Sequence, residues 1–282
     1  MIGGLQSGAK KTTSFKFPVA QPWSLNSGSQ DVQTEAESAA AGTPTTYVRG
    51  QDYNTVQIMK KDYAVTFAKQ STHGEISGLS IAGDNQPVKD EFAFQKMGAM
   101  KQLALDVEYS FLQGAYQDAS DATTEAKTRG LKNAISTNTV AGGSAALTKA
   151  MVNELLREMA GNGAVFENMV LLCNAYQKQA TSDLYAYAPE DRNVGGFNIK
   201  QIETDFCQLG VVWAPQMPTD EIYIVDMSVC YPVFCPYKGQ IIVDIPIAPT
   251  AAKEGGFMYT QIGLDYGPEE YHGSITGLDD GT

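Results

Sequence analysis

The stretch "EFAFQKMGAMKQLALDVEYSFLQG", Glu91 to Gly114, constrains this chain most, because it is the longest run with helical periodicity. Apolar side chains recur at Phe94, Met97, Met100, Ala104, Val107 and Phe111, and Leu103, Leu105 and Leu112 widen the stripe. Steps of three and four residues put them on one face of an α-helix. Asp84 or Asn85 offers an N-cap, Pro87 suits a first turn, and Asp90 and Glu91 sit at the positive end of the dipole. Gly114 marks the end. Counted from Val88, the helix is a rod on the order of 40 Å long. Strict heptads are missing and Gly98 lies in the middle, which argues against a coiled coil. Such a rod can carry a catalytic group or act as a strut, and the rest of the chain decides between them.

Before the rod, residues 1–45 are rich in Gly, Ser, Thr, Ala and Gln without a sustained period, which predicts an extended arm. In "NTVQIMKKDYAVTFA", Val56 and Ile58 are apolar on even positions, whereas Tyr63, Val65 and Phe67 are apolar on odd ones. A strand buried on one face should keep its parity, so the change predicts a bulge near Lys60–Asp62 or a loosely buried, twisted ribbon. With the polar "KQSTHGEISGLSIAGDNQ" that follows, it reads as a long two-stranded projection, marginal alone in water.

After the rod comes a loop-rich region around "KTRGLKNAIST", with Gly130, Gly142 and Gly143 as turn formers. "LTKAMVNELLREMAGNG" predicts a second helix, capped by Thr148 and carrying Met151, Leu155 and Met159 on one face. "NMVLLCN" reads as a buried strand and "AYQKQATSDLYAY" as a third helix. From residue 195 onward, "FNIKQIETDFCQLGVVWAP", "EIYIVDM", "CYPVFCP", "QIIVDIPIAP" and "GGFMYTQIGLDYG" are short β runs separated by Pro and Gly. The class is α+β.

Charged residues make up only 18%, below the usual value of about 25%, as expected where much of the surface lies against another chain. The net charge is −12, from 20 Lys and Arg against 32 Asp and Glu. No basic stripe of the kind a sequence-reading nucleic-acid binder shows is present in the body. Residues 1–30 hold Lys10, Lys11 and Lys16 and no acid, a small basic arm that reads as a solvated tail. "IGGLQSGAKK" lacks the apolar core of a secretory signal, and no stretch approaches the ~18 apolar residues of a membrane span. Synthesis in a cytoplasm, away from membranes, is the expectation. Cys173, Cys207, Cys230 and Cys235 lie in apolar runs and read as buried thiols of a reducing compartment.

Catalytic readings find little support. His73 and His272 read as surface histidines, and the cysteine spacing makes no metal site. Asp106 and Glu108 point about 200° apart on a helix, so they read as surface salt-bridge partners rather than a carboxylate pair. Nucleophile-elbow, phosphate-loop and dinucleotide patterns are missing, and no cofactor is expected. A cryptic α+β enzyme site could use Glu203, Asp205 and Asp226, but these read more simply as exposed strand or turn residues. An arm, a projection and a strut all gain stability mainly from neighbours, which favours a structural, self-assembling protein.

The order of these elements, with "AFQKMGAMKQLALDVEYSFLQGA", "TRGLKNAI" and "GVVWAPQMPTDEIYIVDMS", resembles the major capsid proteins of tailed bacteriophages, which have the Hong Kong 97-type fold. The likeness runs from about residue 47 to the C-terminus and is nearest to podovirus-like phages, whose proteins lack a large fused scaffolding domain. It implies an N-terminal arm over 1–45, an extended loop over 46–82, and a peripheral domain over 83–149 and 236–282 with its spine helix at 86–115. An axial domain would fill 150–235. It further implies hexamers and pentamers that form an icosahedral head around double-stranded DNA, in a virion assembled in a bacterial cytoplasm. The implied partners are other copies of itself, a separate scaffolding protein, a portal, a decoration protein, and packaged DNA held close without specific binding. Contacts between copies are expected at Lys60, Lys61, Tyr63, Lys69, Asp106, Glu108 and Arg129. In one branch of the fold a loop lysine forms an isopeptide bond with an asparagine; Lys60, Lys61 and Lys69 are placed for it, but no matching Asn or Glu is found. A decoration or tail component of the virion remains the alternative, ahead of the enzyme.

Overall fold

A computed structural model describes residues 9–23, 32–42, 49–71, 90–185 and 201–281. The chain begins with β1 (Lys10–Lys11) and β2 (Lys16–Trp23), followed by α1 (Glu35–Ala39), β3 (Arg49–Thr55), β4 (Gln57–Thr66) and α2 (Phe67–Ser71). The rod is α3 (Glu91–Gln113). Next come α4 (Leu131–Ala134), β5 (Thr139–Ala141), α5 (Lys149–Gly161), β6 (Met169–Cys173) and α6 (Ala175–Tyr185). The remainder is β: β7 (Gln201–Glu203), β8 (Gln208–Trp213), β9 (Ile222–Asp226), β10 (Tyr231–Phe234), β11 (Ile242–Ala251), β12 (Lys253–Asp265) and β13 (Gly273–Thr276). A 3₁₀ turn at Glu269–Tyr271 precedes β13.

The rod opens at Glu91, where the Asp90 carboxylate accepts the Ala93 N–H at 3.1 Å. The caps expected at Asp84, Asn85 and Pro87, and His73, lie outside the described residues. At 23 residues the helix is about 35 Å long. Its buried seam is Leu103, Val107 and Phe111, with Phe92 and Ala99 partly buried in line with it. The stripe read from the sequence is thus correct only at its C-terminal end, since Phe94, Met97 and Met100 are exposed. Glu108, expected on the surface, is buried.

β4 also departs from expectation. It pairs antiparallel with β12 without a shift, from Gln57↔Ile262 to Thr66↔Lys253, so there is no bulge near Lys60–Asp62. Met59, Tyr63 and Val65 keep one parity and are buried, and the even-numbered Ile58 is exposed. The apparent parity change came from Ile58 on the outer face and from Val56, which is buried but precedes β4. β4 is tied into the body: β3 pairs with β2 of the arm, while β4, β12 and β11 form a ribbon covered on one side by α3, and the second half expected for the projection, 72–89, lies outside the described residues. The arm is built in further where β1 adds in parallel to the edge of β10.

The second sheet has the order β5-β13-β9-β6-β8-β7. In β9 successive side chains face opposite ways. Ile222 and Ile224 join Leu155, Leu156 and Met159 of α5 in one cluster, whereas Tyr223 and Val225 join the cluster around α3 and β12. A strand covered on both faces reads as a continuous apolar run, which is why "NMVLLCN" and "EIYIVDM" were recognisable. Sheet membership does not follow the division expected at residues 150 and 235, because β5 and β13 lie in this second sheet and β10 in the first.

Candidate assembly surfaces

The residues expected at contacts between copies fall into separate groups. On the side of the ribbon that α3 covers, Lys61 pairs with Asp106 of α3 at 2.6 Å, and Gln102 donates to the same carboxylate at 3.0 Å. Lys60 pairs with Asp62 at 2.9 Å and lies 4.6 Å over the Phe257 ring. Tyr63 faces inward, with its ring edge-on to Phe92 at 5.6 Å. Its hydroxyl donates to Asp244 at 2.5 Å, and Lys96 of α3 pairs with the other Asp244 oxygen. Burial, and then the bond to Asp244, push the Tyr63 phenol up to about 12. Burial raises the Asp244 carboxyl, but Lys96 and Tyr63 outweigh it and hold the group below its ordinary value. Lys69 sits half-buried in α2, its N–H donating to Thr66 Oγ1 at 3.3 Å. Lys61 and Asp106 are therefore together, and Tyr63 ties the ribbon to the helix through Asp244.

Arg129 belongs elsewhere. Its Nη1 donates to Asp52 of β3 and, at 3.1 Å, to the Tyr266 hydroxyl, which donates in turn to Asp52 at 2.7 Å. The guanidinium also stacks 4.8 Å from Tyr116. Buried Asn54 accepts the Arg129 N–H at 2.7 Å and donates to the carbonyls of Arg129 and Leu264 at 3.1 and 2.7 Å. Burial raises the Asp52 carboxyl, yet the Tyr266 hydroxyl, the Tyr53 N–H and Arg129 hold it below its usual value. This network fastens the arm hairpin to the body. Asp52, Asn54 and Tyr266 escaped the sequence reading, since nothing in "GQDYN" signals partners so distant along the chain.

Among the described residues, α3 exposes five large apolar side chains, Phe94, Met97, Met100, Leu105 and Tyr109, and β4 adds Ile58. An open trough of about 690 Å³ between them is lined by Ile58, Lys60, Leu105, Asp106 and Tyr109. Farther along, Phe94, Met97 and Met100 stand 54%, 57% and 49% exposed. Solvent-facing apolar groups clustered in this way mark an interaction surface.

The acids of the possible cryptic site are apart in character: Glu203 and Asp205 are exposed, as expected, but Asp226 is fully buried. His272, expected at the surface, is fully buried as well. Its Nδ1 accepts the Asp226 N–H at 3.2 Å and its Nε2 lies 2.6 Å from the Tyr266 carbonyl, so the ring is neutral with the proton on Nε2. Cys173 and Cys230 are buried thiols, whereas Cys207 and Cys235 are only half-buried. Burial pushes the Cys173 thiol up to about 11. Among the described residues no group of three His, Cys, Asp or Glu could hold a metal, and no helix is long and apolar enough to cross a membrane.

A family model described as SU10 major capsid protein matches residues 1–279. No curated protein sequence matches the chain. Among solved structures, the cyanophage A-1(L) capsid asymmetric unit is similar with a TM-score of 0.68 at 12% identity, over 99% of this chain and 92% of that one. The capsid of the native GTA particle gives 0.62 at 12% identity, over 96% and 88%. The satellite phage P4 procapsid, a structure that includes a size determination protein, gives 0.55 at 11% identity, over 95% and 84%. Likenesses at this identity concern the fold, which is that of Hong Kong 97-type phage capsids.

Proposed function

The chain belongs to the SU10 major capsid protein family, and from that premise we propose that it tiles an icosahedral phage head as hexamers and pentamers around double-stranded DNA. The observation that supports this most is the extent of the family match, residues 1–279. The role is structural. In this reading residues 1–45 are the arm, 46–82 the loop that lies over a neighbour, and α3 the spine of a peripheral domain formed by 83–149 and 236–282. Residues 150–235 form most of the axial domain. Lys60, Lys61, Lys69, Asp106 and Arg129 border neighbouring copies, with Tyr63 and Glu108 supporting them from beneath. A separate scaffolding protein guides assembly, a portal occupies one vertex, and a decoration protein has the outer surface available; the P4 procapsid, resolved with an accessory protein, is a precedent.

Negative-stain electron microscopy over a concentration series, with light scattering alongside, tests the proposal. Closed shells, tubes, or rings of five and six subunits are the expected particles. A monodisperse monomer at every concentration, with and without a co-expressed scaffolding protein, would overturn it. The acidic body should show no specific affinity for DNA, because each phosphate contact needs a cation; nanomolar binding at physiological salt would contradict that part.

A further inference from the structure

Two surfaces stand uncovered among the described residues of the single molecule. The first is α1 with its flanks. Every residue from Val32 to Gly42 is exposed, and the hydrogen bonds of the segment are internal. Thr34 and Glu37 form a reciprocal capping box, and the Ser38 hydroxyl donates to the Glu35 carbonyl at 2.8 Å. Isolated helices shorter than about 12 residues are marginal in water. A five-residue helix that buries no side chain therefore needs a surface to lie on. At about 100° per residue, Ala36 and Ala39, with the C-capping Ala40, share one side, flanked by Glu35 and Glu37.

The second surface is the outer face of α3 over its first four turns. Ala93, Met97, Met100 and Ala104 line up along it, with Phe94 and Leu105 beside them, all exposed. Gly98 lies on the same side, and a Cβ there would meet nothing within 4 Å. Lys96 turns away to Asp244 and Asp106 to Lys61, so over residues 93–105 the charge left on this face is that of Lys101. Methionines adapt to an irregular partner, and the small residues between them allow close approach of a backbone.

We infer that this face of α3 is the docking site for α1 of a second copy of the chain, with Ala36 and Ala39 on Met97 and Met100, and Glu35 or Glu37 against Lys101. One contact then covers both surfaces and brings an acid to the one base left on the α3 face. The occupant argued for is a second copy, because among the described residues of one molecule α1 lies exposed while the α3 face stays open. The inference rests on the self-assembly reading, which supplies a second copy at every contact.

The test uses two full-length variants, Ala39→Cys and Met97→Cys, assembled as an equal mixture and treated with a short bismaleimide. Both positions are exposed in the single chain, so both variants should fold. The expected result is a covalent heterodimer on a denaturing gel, well above the background from Cys207 and Cys235 and missing when either variant is assembled alone. Adding Lys101→Glu should lower its yield about two- to fivefold, the effect of losing an exposed ion pair. Glu35→Lys with Glu37→Lys on the other copy should restore it. Particles without the heterodimer would overturn the docking and leave assembly standing. A cross-link found only to a scaffolding protein would overturn it equally. Failure to form any particle would instead overturn the self-assembly reading itself.

Discussion

Asp52 receives the Arg129 guanidinium and the Tyr266 hydroxyl at the same oxygen, joining residues 77 and 214 positions away. Asp52→Asn would keep the shape but leave a half-buried guanidinium without its counter-charge. A loss of about 2 kcal/mol is expected, as for hydrogen bonds to charged groups, seen as a lower urea midpoint at unchanged m-value; an unchanged midpoint would show that the network does not hold the arm. His272 makes a second prediction, for pH. Burial lowers the imidazole below its ordinary 6.5, against the opposing pull of the Tyr266 carbonyl. As pH falls through 6.5 the unfolded chain takes up a proton that the folded one refuses, so stability drops until the folded value is reached. Glu270 acts the other way, since burial raises its carboxyl and the folded state is protonated first. In a Glu270→Gln background, the urea midpoint should therefore fall between about pH 7.5 and pH 5.5; a flat or rising midpoint would mean that His272 is not held neutral. Neither residue was legible as buried, because a lone acid or histidine in one sequence carries no sign of its partners.

At the scale of the element, periodicity identified α3 but could not say which of its faces turns inward. The series Phe94, Met97, Met100, Ala104 and the series Ala99, Leu103, Val107, Phe111 both satisfy helical spacing, and only the second is packed against the ribbon. β4 repeats the ambiguity with Ile58 against Met59. The usual rule that apolar means inside assumes one core, and here it has to serve a core and an interface together. The two faces should separate in experiment. Leu103→Ala should cost about 3 kcal/mol as a cavity in the packed seam. Met97→Ala should change subunit stability by less than about 0.5 kcal/mol and still raise the concentration needed for assembly. Equal effects of the two substitutions on the urea midpoint would mean that α3 has no free face.

For the whole molecule, the order of elements was readable while the pairing was not, since β4 and β12 lie almost two hundred residues apart and nothing local links them. The net charge was readable from the start, and it leads to a prediction that pairwise contacts would reverse. Each copy carries −12, so copies brought edge to edge repel one another, and repulsion between exposed charges is screened beyond about 10 Å at 0.1 M salt. Against this stands the contact between Lys101 and an acid of α1, an exposed ion pair worth at most about 1 kcal/mol, which salt also weakens. Repulsion summed over all neighbours outweighs it. Raising salt from about 0.05 to about 0.5 M should therefore lower the critical concentration for particle formation several-fold, followed by light scattering on the unmodified protein. If salt raised that concentration instead, attraction between charges across the interface would dominate, and the apolar faces of α3 and β4 would be secondary in holding copies together.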